Sequence, residues 1–298
     1  MKKNGYICFG MGNASHNGYT VPAYGVNVER DVVYRKAKGY WTEGPDRIDV
    51  PTLNWAKLLR PQEELELKMD IYSPEGDGAS NRPLLLMMHG GSFLFGNKNE
   101  KGQTEWCRHF ASLGYVAASI DYRLGFRIKR DGLLQAEADA LEDARAALAF
   151  LLSNDNLKVD AERVFVAGTS AGGALALGLA YAPPAAGCRI LAVGDLWGYV
   201  RDLSVLENTS VPVVSFQSIQ DPVVPYEKGC PLNRKSAGTV YGTKAVFDRA
   251  AALGIPCDHV PCPEKGHRLH LNRDGMLTSR FYDIQDRLTA FFSAAMER

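Results

Sequence analysis

The chain has 298 residues, of which 46% are hydrophobic and 23% charged, an ordinary composition for a soluble globular protein. Lys plus Arg and Asp plus Glu number 34 each, so the net charge is zero, and no long-range field would attract nucleic acid or an anionic membrane. No apolar stretch approaches the roughly 20 residues that a membrane helix requires. We therefore expect the partner to be a small, roughly neutral molecule rather than nucleic acid or a membrane.

The beginning of the chain differs in composition from the rest. The first 60 residues are rich in Gly, Tyr, Trp and Asn. We expect them to form an irregular extension, with one strand near Asp31–Arg35, that wraps the core or shapes the mouth of a pocket. No repeat or flexible linker divides the chain, so residues 1–298 are expected to form a single domain. The basic start lacks the apolar run of an export signal, which leaves open a cytoplasmic protein or an exported one whose signal has been removed. The oligomeric state also stays open.

Hydrophobic patterning predicts the strands. Residues 64–72 alternate polar and apolar side chains, as in an exposed edge strand, whereas residues 84–88 are uniformly apolar, as in a strand covered on both faces. Further strands are predicted at 115–120, 164–167, 189–193, 211–216 and near 257–261.

Helical patterns fall between these strands. Four helices are predicted, at 104–113, 133–152, 171–181 and 243–253, and the first and last end at Gly114 and Gly254. Because strand and helix alternate from residue 84 onward, the sequence predicts an α/β fold, in which a mostly parallel sheet is covered by helices on both faces.

The sharpest chemical signal is the segment Gly168-Thr169-Ser170-Ala171-Gly172. A serine nucleophile needs its hydroxyl presented on a tight strand-to-helix turn, and small residues two positions to either side let strand and helix approach closely. Here an apolar strand precedes the segment and an apolar helix follows it. We therefore predict that Ser170 is a nucleophile.

A glycine-rich turn, His89-Gly90-Gly91-Ser92-Phe93, directly follows the buried strand 84–88. Attack on a carbonyl creates an oxyanion, which preorganised N–H donors must stabilise. Glycines can turn their amides inward without a side chain in the way. We expect the N–H groups of Gly90 and Gly91 to join that of Ala171 in an oxyanion hole.

A serine hydroxyl also needs a general base, and histidine has a pKa near the working pH. His267 follows Gly266 in a loop after the last predicted strand, and we favour it as the base, with His270 as its close rival. The other histidines lie in the irregular start, in the glycine-rich turn, on a helix and along a strand: His16, His89, His109 and His259.

The third member of such a site is a carboxylate that fixes the imidazole tautomer and stabilises the imidazolium. Asp221 follows the strand 211–216, and the chain order Ser170, Asp221, His267 is the one expected for a serine on this type of turn. Asp195, which follows the preceding strand, is the alternative. We favour Asp221.

The six cysteines are too few for a disulfide scaffold, and they lack the spacing of a zinc site. Cys257 and Cys262 are close enough in sequence to bridge across a loop if the protein is exported, but buried free thiols are the favoured interpretation. We expect no metal and no cofactor.

These segments, together with Asp121-Tyr122-Arg123-Leu124, resemble the α/β-hydrolase superfamily, specifically its carboxylesterase branch related to the hormone-sensitive-lipase-like esterases. The resemblance covers about residues 60–298. It implies the α/β-hydrolase fold and hydrolysis of carboxylic esters by a Ser-His-Asp triad through an acyl-enzyme.

The chain departs from the lipase-like members in two places. Gly125-Phe126-Arg127 stands where those members usually have Ala-Pro-Glu, and only about fifty residues separate Ser170 from Asp221, which leaves no room for a large lid. In this respect, and in residues 221–226, the chain is similar to esterases that remove acetyl or feruloyl groups from plant polysaccharides. We therefore expect small or carbohydrate-linked esters as substrates.

Two other functions compete with this prediction. A prolyl-type serine peptidase would use the same triad but usually carries a large gating domain, for which this chain has no room. A catalytically inactive hydrolase fold used for binding would commonly have lost the serine or the histidine, and both are present here.

Overall fold

The computed structural model describes residues 19–44, 55–76, 78–127, 129, 131–181 and 187–298. In these ranges the strands are β1 (Val26–Gly39), β2 (Glu63–Pro74), β3 (Arg82–Met88), β4 (Val116–Ile120), β5 (Val159–Thr169), β6 (Ile190–Leu196), β7 (Tyr199–Val200), β8 (Val213–Ser218), β9 (Lys228–Gly229), β10 (Val240–Gly242) and β11 (Cys257–Cys262). The α-helices are α1 (Lys101–Ser112), α2 (Gly132–Ser153), α3 (Ala171–Tyr181), α4 (Thr243–Ala252) and α5 (Ser279–Met296). None of these helices combines the length and apolarity needed to cross a membrane.

Eight strands form one sheet in the order β1-β2-β4-β3-β5-β6-β8-β11. The β1–β2 and β2–β4 pairs are antiparallel, and every later neighbouring pair is parallel. Parallel strands require crossover connections, and α-helices supply them here except between β6 and β8, where the connection contains β7 and a short 3-10 helix, Leu203–Leu206. A separate small sheet, β7-β10-β9, lies in the connections that follow β6 and β8.

Both faces of the sheet are covered, which explains why β3 is uniformly apolar. Leu84, Leu86 and Met88 pack in one hydrophobic cluster with residues of α2 and α3. Leu85 and Met87 point to the opposite face and pack in a second cluster with α1 and α5. The predicted α/β fold with helices on both faces is therefore confirmed.

The start of the chain differs from its prediction. The strand expected near Asp31–Arg35 is confirmed, but it is part of a longer strand, β1, which replaces the irregular structure expected for residues 26–39 and forms one edge of the sheet. Because β1 pairs with β2 over its length, the prediction that residues 64–72 form an exposed edge strand is wrong. Residues 1–18 and 45–54 of the expected extension lie outside the described residues.

Cys257 and Cys262 stand at opposite ends of β11 and are free thiols. A strand rises about 3.3 Å per residue, so five steps separate their Cα atoms by roughly 16 Å. A disulfide needs a Cα separation of about 4.4–6.8 Å. The strand geometry thus rules out the alternative of a bridge between them.

The topology collects loops at one edge of the sheet. Strands β5, β8 and β11 are parallel and close to one another, and their carboxyl ends lead into Ser170, Asp221 and His267 respectively. Binding sites of open α/β sheets form at this edge.

Candidate active site

Ser170 lies on the sharp turn between β5 and α3. Its backbone φ is +54°, in the left-handed region that a non-glycine residue seldom adopts, and its N–H donates to the carbonyl of Leu196 at 2.8 Å. A Cβ added to Gly172 would lie 2.0 Å from the carbonyl oxygen of Met88, and one added to Gly168 would lie 2.3 Å from that of Gly172. The two flanking glycines are therefore required by the close approach of strand and helix.

A hydrogen-bonded relay connects three of the residues that the sequence singled out. Nε2 of His267 lies 2.8 Å from Oγ of Ser170. Nδ1 of the same ring lies 2.8 Å from Oδ2 and 3.0 Å from Oδ1 of Asp221. Because a carboxylate only accepts, Nδ1 carries a proton, which leaves Nε2 to accept the Ser170 hydroxyl.

The carboxylate of Asp221 is buried and well supplied with donors. Its Oδ1 accepts from the N–H groups of Val223 at 2.8 Å and Val224 at 3.1 Å, and its Oδ2 accepts from the Gln217 amide at 3.2 Å. The Gln217 amide is itself fixed, because its oxygen accepts from the hydroxyl of Thr243 at 2.8 Å. These donors stabilise a negative charge beside the imidazole.

The glycine-rich turn lies directly beside Ser170. A Cβ added to Gly90 would be 3.2 Å from the Ser170 Cβ, and Gly91 has a φ of +125°, where an added Cβ would be 2.1 Å from the Phe95 carbonyl oxygen. Among the described residues, no acceptor receives the amide N–H of Gly90, Gly91 or Ala171. Unpartnered amides next to a serine hydroxyl are able to stabilise an oxyanion.

Buried side chains hold this turn in place. His89 donates from Nδ1 to the carbonyl of Gly90 at 2.6 Å and stacks on Tyr122, with ring centroids 4.3 Å apart. The Tyr122 hydroxyl donates to the His89 carbonyl at 2.7 Å. Burial lowers the pKa of His89 to about 4, so its ring is neutral near pH 7. His89 therefore acts as a support of the turn.

Ion pairs hold the loop that leads from this turn to α1. Lys98 is buried, and its ammonium group lies 2.8 Å from Asp70 and 2.9 Å from Asp31. Its backbone N–H donates to Asp121 at 2.7 Å. Burial opposes the charge on Lys98, but the hydrogen bonds and charges of the two aspartates outweigh it and raise its pKa.

Comparisons with known proteins agree with the fold described above. Residues 69–186 match the BD-FAE family model, an α/β-hydrolase-type esterase domain. Esterase 2 of Thermogutta terrifontis, in its form phosphoramylated by tabun, superposes with a TM-score of 0.61 at 19% identity, covering 91% of this chain and 95% of that one. Its propionate-bound form gives a TM-score of 0.58 at 20% identity, over 78% and 90% of the two chains. The chain thus has the α/β-hydrolase fold, and its residues 69–186 match an esterase-type domain of that fold.

Curated relatives match parts of the chain. The non-reducing polyketide synthase ascC of Acremonium egyptiacum is 30% identical over 158 residues, which are 48% of this chain and 7% of that protein. Esterase-5B of Drosophila persimilis is 26% identical over 178 residues, 55% of this chain and 32% of that protein. The chain thus spans less than a tenth of the length of the first polyketide synthases it matches.

The alternative base, His270, lies away from the Ser170 hydroxyl and contacts other residues. It is buried between Trp106 and Trp197, with ring centroids 5.3 and 5.1 Å away, and its Nε2 lies 3.1 Å from Oε1 of Glu100. Burial opposes ionisation of Glu100, but the charge and hydrogen bond of His270 outweigh it and hold the pKa of Glu100 at about 2. His270 therefore pairs with Glu100 and not with Ser170.

Two further candidates, Asp195 and His259, have other hydrogen-bond partners, and a third lies outside the described residues. Asp195 is fully buried and accepts from the N–H of Gly198 at 2.8 Å, without a hydrogen bond to His267. His259 is packed in β11, where its ring nitrogens contact the hydroxyls of Ser215 and Tyr226. His16 lies outside the described residues.

The sequence patterns do not predict the residues that support the site, although two of them, Gln217 and Tyr122, stand in recognisable positions. Gln217 is a polar residue at the end of an apolar strand, and Tyr122 belongs to a segment that carried the resemblance but had no assigned role. The buried pairs Lys98–Asp70 and Glu100–His270 join residues far apart in sequence, and no local pattern indicates them.

Two cavities meet at Ser170. The histidine-side cavity, of about 60 Å³, is lined by Gly90, Glu100, Ser170, Trp197, His267 and His270 among others. The apolar cavity, of about 280 Å³, is lined by Phe93, Phe126, Leu133, Ser170, Tyr199 and Leu232 among others. Within the described ranges, no cluster of three His, Cys, Asp or Glu side chains is arranged to hold a metal ion.

Proposed function

We propose that this α/β-hydrolase is a serine carboxylic-ester hydrolase in which Ser170, His267 and Asp221 act as a catalytic triad. The observation that carries the proposal is the relay from Ser170 Oγ to His267 Nε2 and from His267 Nδ1 to Asp221 Oδ2, each at 2.8 Å. This arrangement supplies a nucleophile, a base and an orienting carboxylate in the order that acyl transfer requires.

In the first half of the proposed reaction, His267 Nε2 takes the hydroxyl proton as Ser170 Oγ attacks the ester carbonyl. The resulting oxyanion accepts hydrogen bonds from the amides of Gly90, Gly91 and Ala171. The imidazolium is stabilised by Asp221, and it then gives its proton to the departing alkoxide. The products of this half are the free alcohol and an acyl group bound to Ser170.

In the second half, water attacks the acyl-enzyme. His267 removes a proton from the water, the same amides hold the second oxyanion, and Ser170 recovers its proton as the acid leaves. One ester and one water give one acid and one alcohol, so no cofactor is needed.

We infer that the substrates are small or carbohydrate-linked esters of acetyl or feruloyl type. No large lid covers Ser170 in the described part of the chain, which would leave the site open to a bulky alcohol such as a polysaccharide. The apolar cavity, walled by aromatic side chains, supports an aromatic acyl group. Structures of Thermogutta terrifontis esterase 2 with bound propionate and butyrate support a preference for short acyl groups.

The decisive test is labelling with a fluorophosphonate, followed by intact mass and peptide mapping. We expect one adduct, on Ser170, and loss of nearly all esterase turnover in Ser170→Ala with an unchanged far-UV spectrum. A folded wild-type protein without an adduct would reject the proposed triad and favour an inactive binding protein.

The peptidase alternative is tested with matched substrates. A prolyl-type peptidase would hydrolyse a prolyl anilide at a rate comparable to that of an ester with the same leaving-group size. We expect turnover of para-nitrophenyl acetate and acetylated xylan and none of the anilide. Inertness toward every decorated polysaccharide would remove the carbohydrate-ester assignment but leave the esterase.

A further inference from the structure

The apolar cavity carries an unbalanced positive charge. Two cationic residues, Lys129 and Arg234, line it, and none of the Asp or Glu residues in the described ranges does. Since the whole chain has no net charge, this is a local feature of the cavity. Neither cation forms an ion pair with a described acidic residue.

The neighbouring acidic groups already have partners. Glu137 pairs with Arg201 at 2.5 Å and accepts from the Tyr199 hydroxyl. Asp139 accepts from the Gln135 amide at 2.9 Å. Asp221 is engaged by His267. The two cations on the cavity wall are therefore available to an anion from outside the protein.

The chemistry indicates which half of an ester enters this cavity. The leaving oxygen must come within reach of His267 Nε2, and His267 lines the histidine-side cavity but not the apolar one. The alcohol therefore departs on the histidine side. The acyl group then extends from Ser170 into the apolar cavity, whose lining includes Phe93, Tyr199 and the two cationic residues.

We propose that the apolar cavity selects acyl groups with an apolar body and a carboxylate at the far end, such as monoesters of dicarboxylic acids. Lys129 and Arg234 are the specificity-determining residues. Arg234 supplies a planar guanidinium that suits a carboxylate, while Lys129, in the loop before α2, adds a second charge. The inference rests on the proposed function and extends it beyond acetyl and feruloyl groups.

The experiment compares two esters that differ only in charge, para-nitrophenyl hydrogen adipate and its methyl-capped diester. At pH 8 and low salt we expect kcat/KM to be about fivefold higher for the acid-ended ester, because exposed ion pairs make modest contributions. The difference should lie mainly in KM and should shrink toward parity at about 0.5 M NaCl as the charges are screened.

Variants test the two residues. In the double variant Lys129→Gln/Arg234→Gln the ratio of kcat/KM for the two esters should fall to about one, and in Arg234→Glu it should fall below one. Lys235→Gln is the matched control, because Lys235 is an exposed cation next to Arg234 that does not line the cavity. This control should keep the wild-type ratio.

The outcomes separate this inference from the proposed function. Suppose that the methyl-capped ester is hydrolysed in a Ser170-dependent way and that kcat/KM for the acid-ended ester is equal to or lower than that for the methyl-capped ester. This result would overturn the inference but would not contradict the proposed esterase activity. A preference for a carboxylate on the alcohol half, measured with carboxyphenyl butyrate against phenyl butyrate, would overturn the assignment of the cavities. Absence of both hydrolysis and Ser170 labelling would reject the two proposals together.

Discussion

Asp195 lies near the end of β6 and Asp221 follows the neighbouring strand β8, and the two carboxyl groups differ in how many hydrogen-bond donors surround them. The carboxylate of Asp221 accepts from two backbone N–H groups, an amide and the His267 imidazole. Asp195 has one backbone donor, and one of its oxygens is buried without a partner. Burial raises the pKa of Asp195 to about 7, opposed only by the Gly198 N–H. The environment of Asp221, rather than its position alone, makes it suited to orient a histidine.

The change Asp221→Asn should lower kcat by about 10⁴-fold with little effect on the fold, because an amide fails to hold the imidazole in the tautomer that leaves Nε2 free. Steady-state kinetics with para-nitrophenyl acetate measure this loss. Asp195→Asn is the control, and its kcat should stay close to that of the wild type. If Asp195→Asn suffers the larger loss, the two aspartates have been assigned in the wrong order.

Asp195 should also make the stability depend on pH. Its folded-state pKa, about 7, lies above the value of about 3.8 expected for the unfolded chain, so the folded state binds the proton more tightly. Stability from this group is present below about pH 4 and is lost as the pH rises toward and through 7. Asp195→Asn should therefore be more stable than the wild type at pH 8, by at most about 4 kcal/mol, with a smaller gain at pH 5. Urea denaturation at both pH values measures the difference, and an equal gain at both would contradict it.

At the level of elements, the loop between β3 and α1 depends on charges buried beneath it. Lys98 is 2% exposed and joins Asp70 of β2 to Asp31 of β1, while its backbone binds Asp121 after β4. One residue thus connects the loop between β3 and α1 to strands β1 and β2 and to the end of β4.

Removing the ammonium group should leave the buried Asp70 with the half-exposed Arg30, at 2.7 Å, as its ionic partner. Since a buried pair is broken but one partner remains, we expect Lys98→Met to lower the free energy of unfolding by about 2–3 kcal/mol, less than the roughly 3–5 kcal/mol of a fully uncompensated charge. Lys36→Met is the matched control, since Lys36 pairs with Glu66 on the exposed part of β1, and no measurable change is expected there. Urea titrations followed by circular dichroism compare the two, and similar losses in both variants would argue against a special role of Lys98.

Elements with local patterns were predictable from the sequence, and elements defined by distant partners were not. The apolar run 84–88 and the helix 133–152 carry their own signal and appear as β3 and α2. Strand β1 is mostly polar and becomes a strand through its pairing with β2, with a bulge at Asp31, so its periodicity is broken. Helix α5 has no counterpart among the predicted helices, although its buried residues recur at helical spacing.

The same distinction holds for the candidate site. Ser170 is marked by a five-residue motif that requires small neighbours, and the order of Asp221 and His267 along the chain follows from the fold. The sequence favours His267 over His270 without separating them fully, because both follow β11 within a few residues. The structure adds that His267 contacts Ser170, whereas His270 pairs with Glu100. Such a pairing depends on α1, which lies far from His270 in sequence.

At the scale of the whole molecule, one sheet separates two hydrophobic clusters and belongs to both. Leu148 of α2 is 1% exposed in the cluster on one face, and Phe292 of α5 is fully buried in the cluster on the other. Alternate residues of β3 contribute to each cluster, so neither face can lose its packing without loosening the strand that supports the other. The described part of the chain should therefore unfold as one cooperative unit.

We expect Leu148→Ala and Phe292→Ala to lower the free energy of unfolding by about 2–5 and 3–5 kcal/mol respectively, as cavity-forming core truncations do. Because both faces share the sheet, each variant should shift a single urea transition with an unchanged dependence on urea concentration. Far-UV circular dichroism, tryptophan fluorescence and esterase activity should follow the same curve in each variant. If Phe292→Ala instead shows a first urea transition that changes the tryptophan fluorescence while esterase activity is preserved, the α1–α5 face unfolds separately. The sheet would then not couple the two clusters.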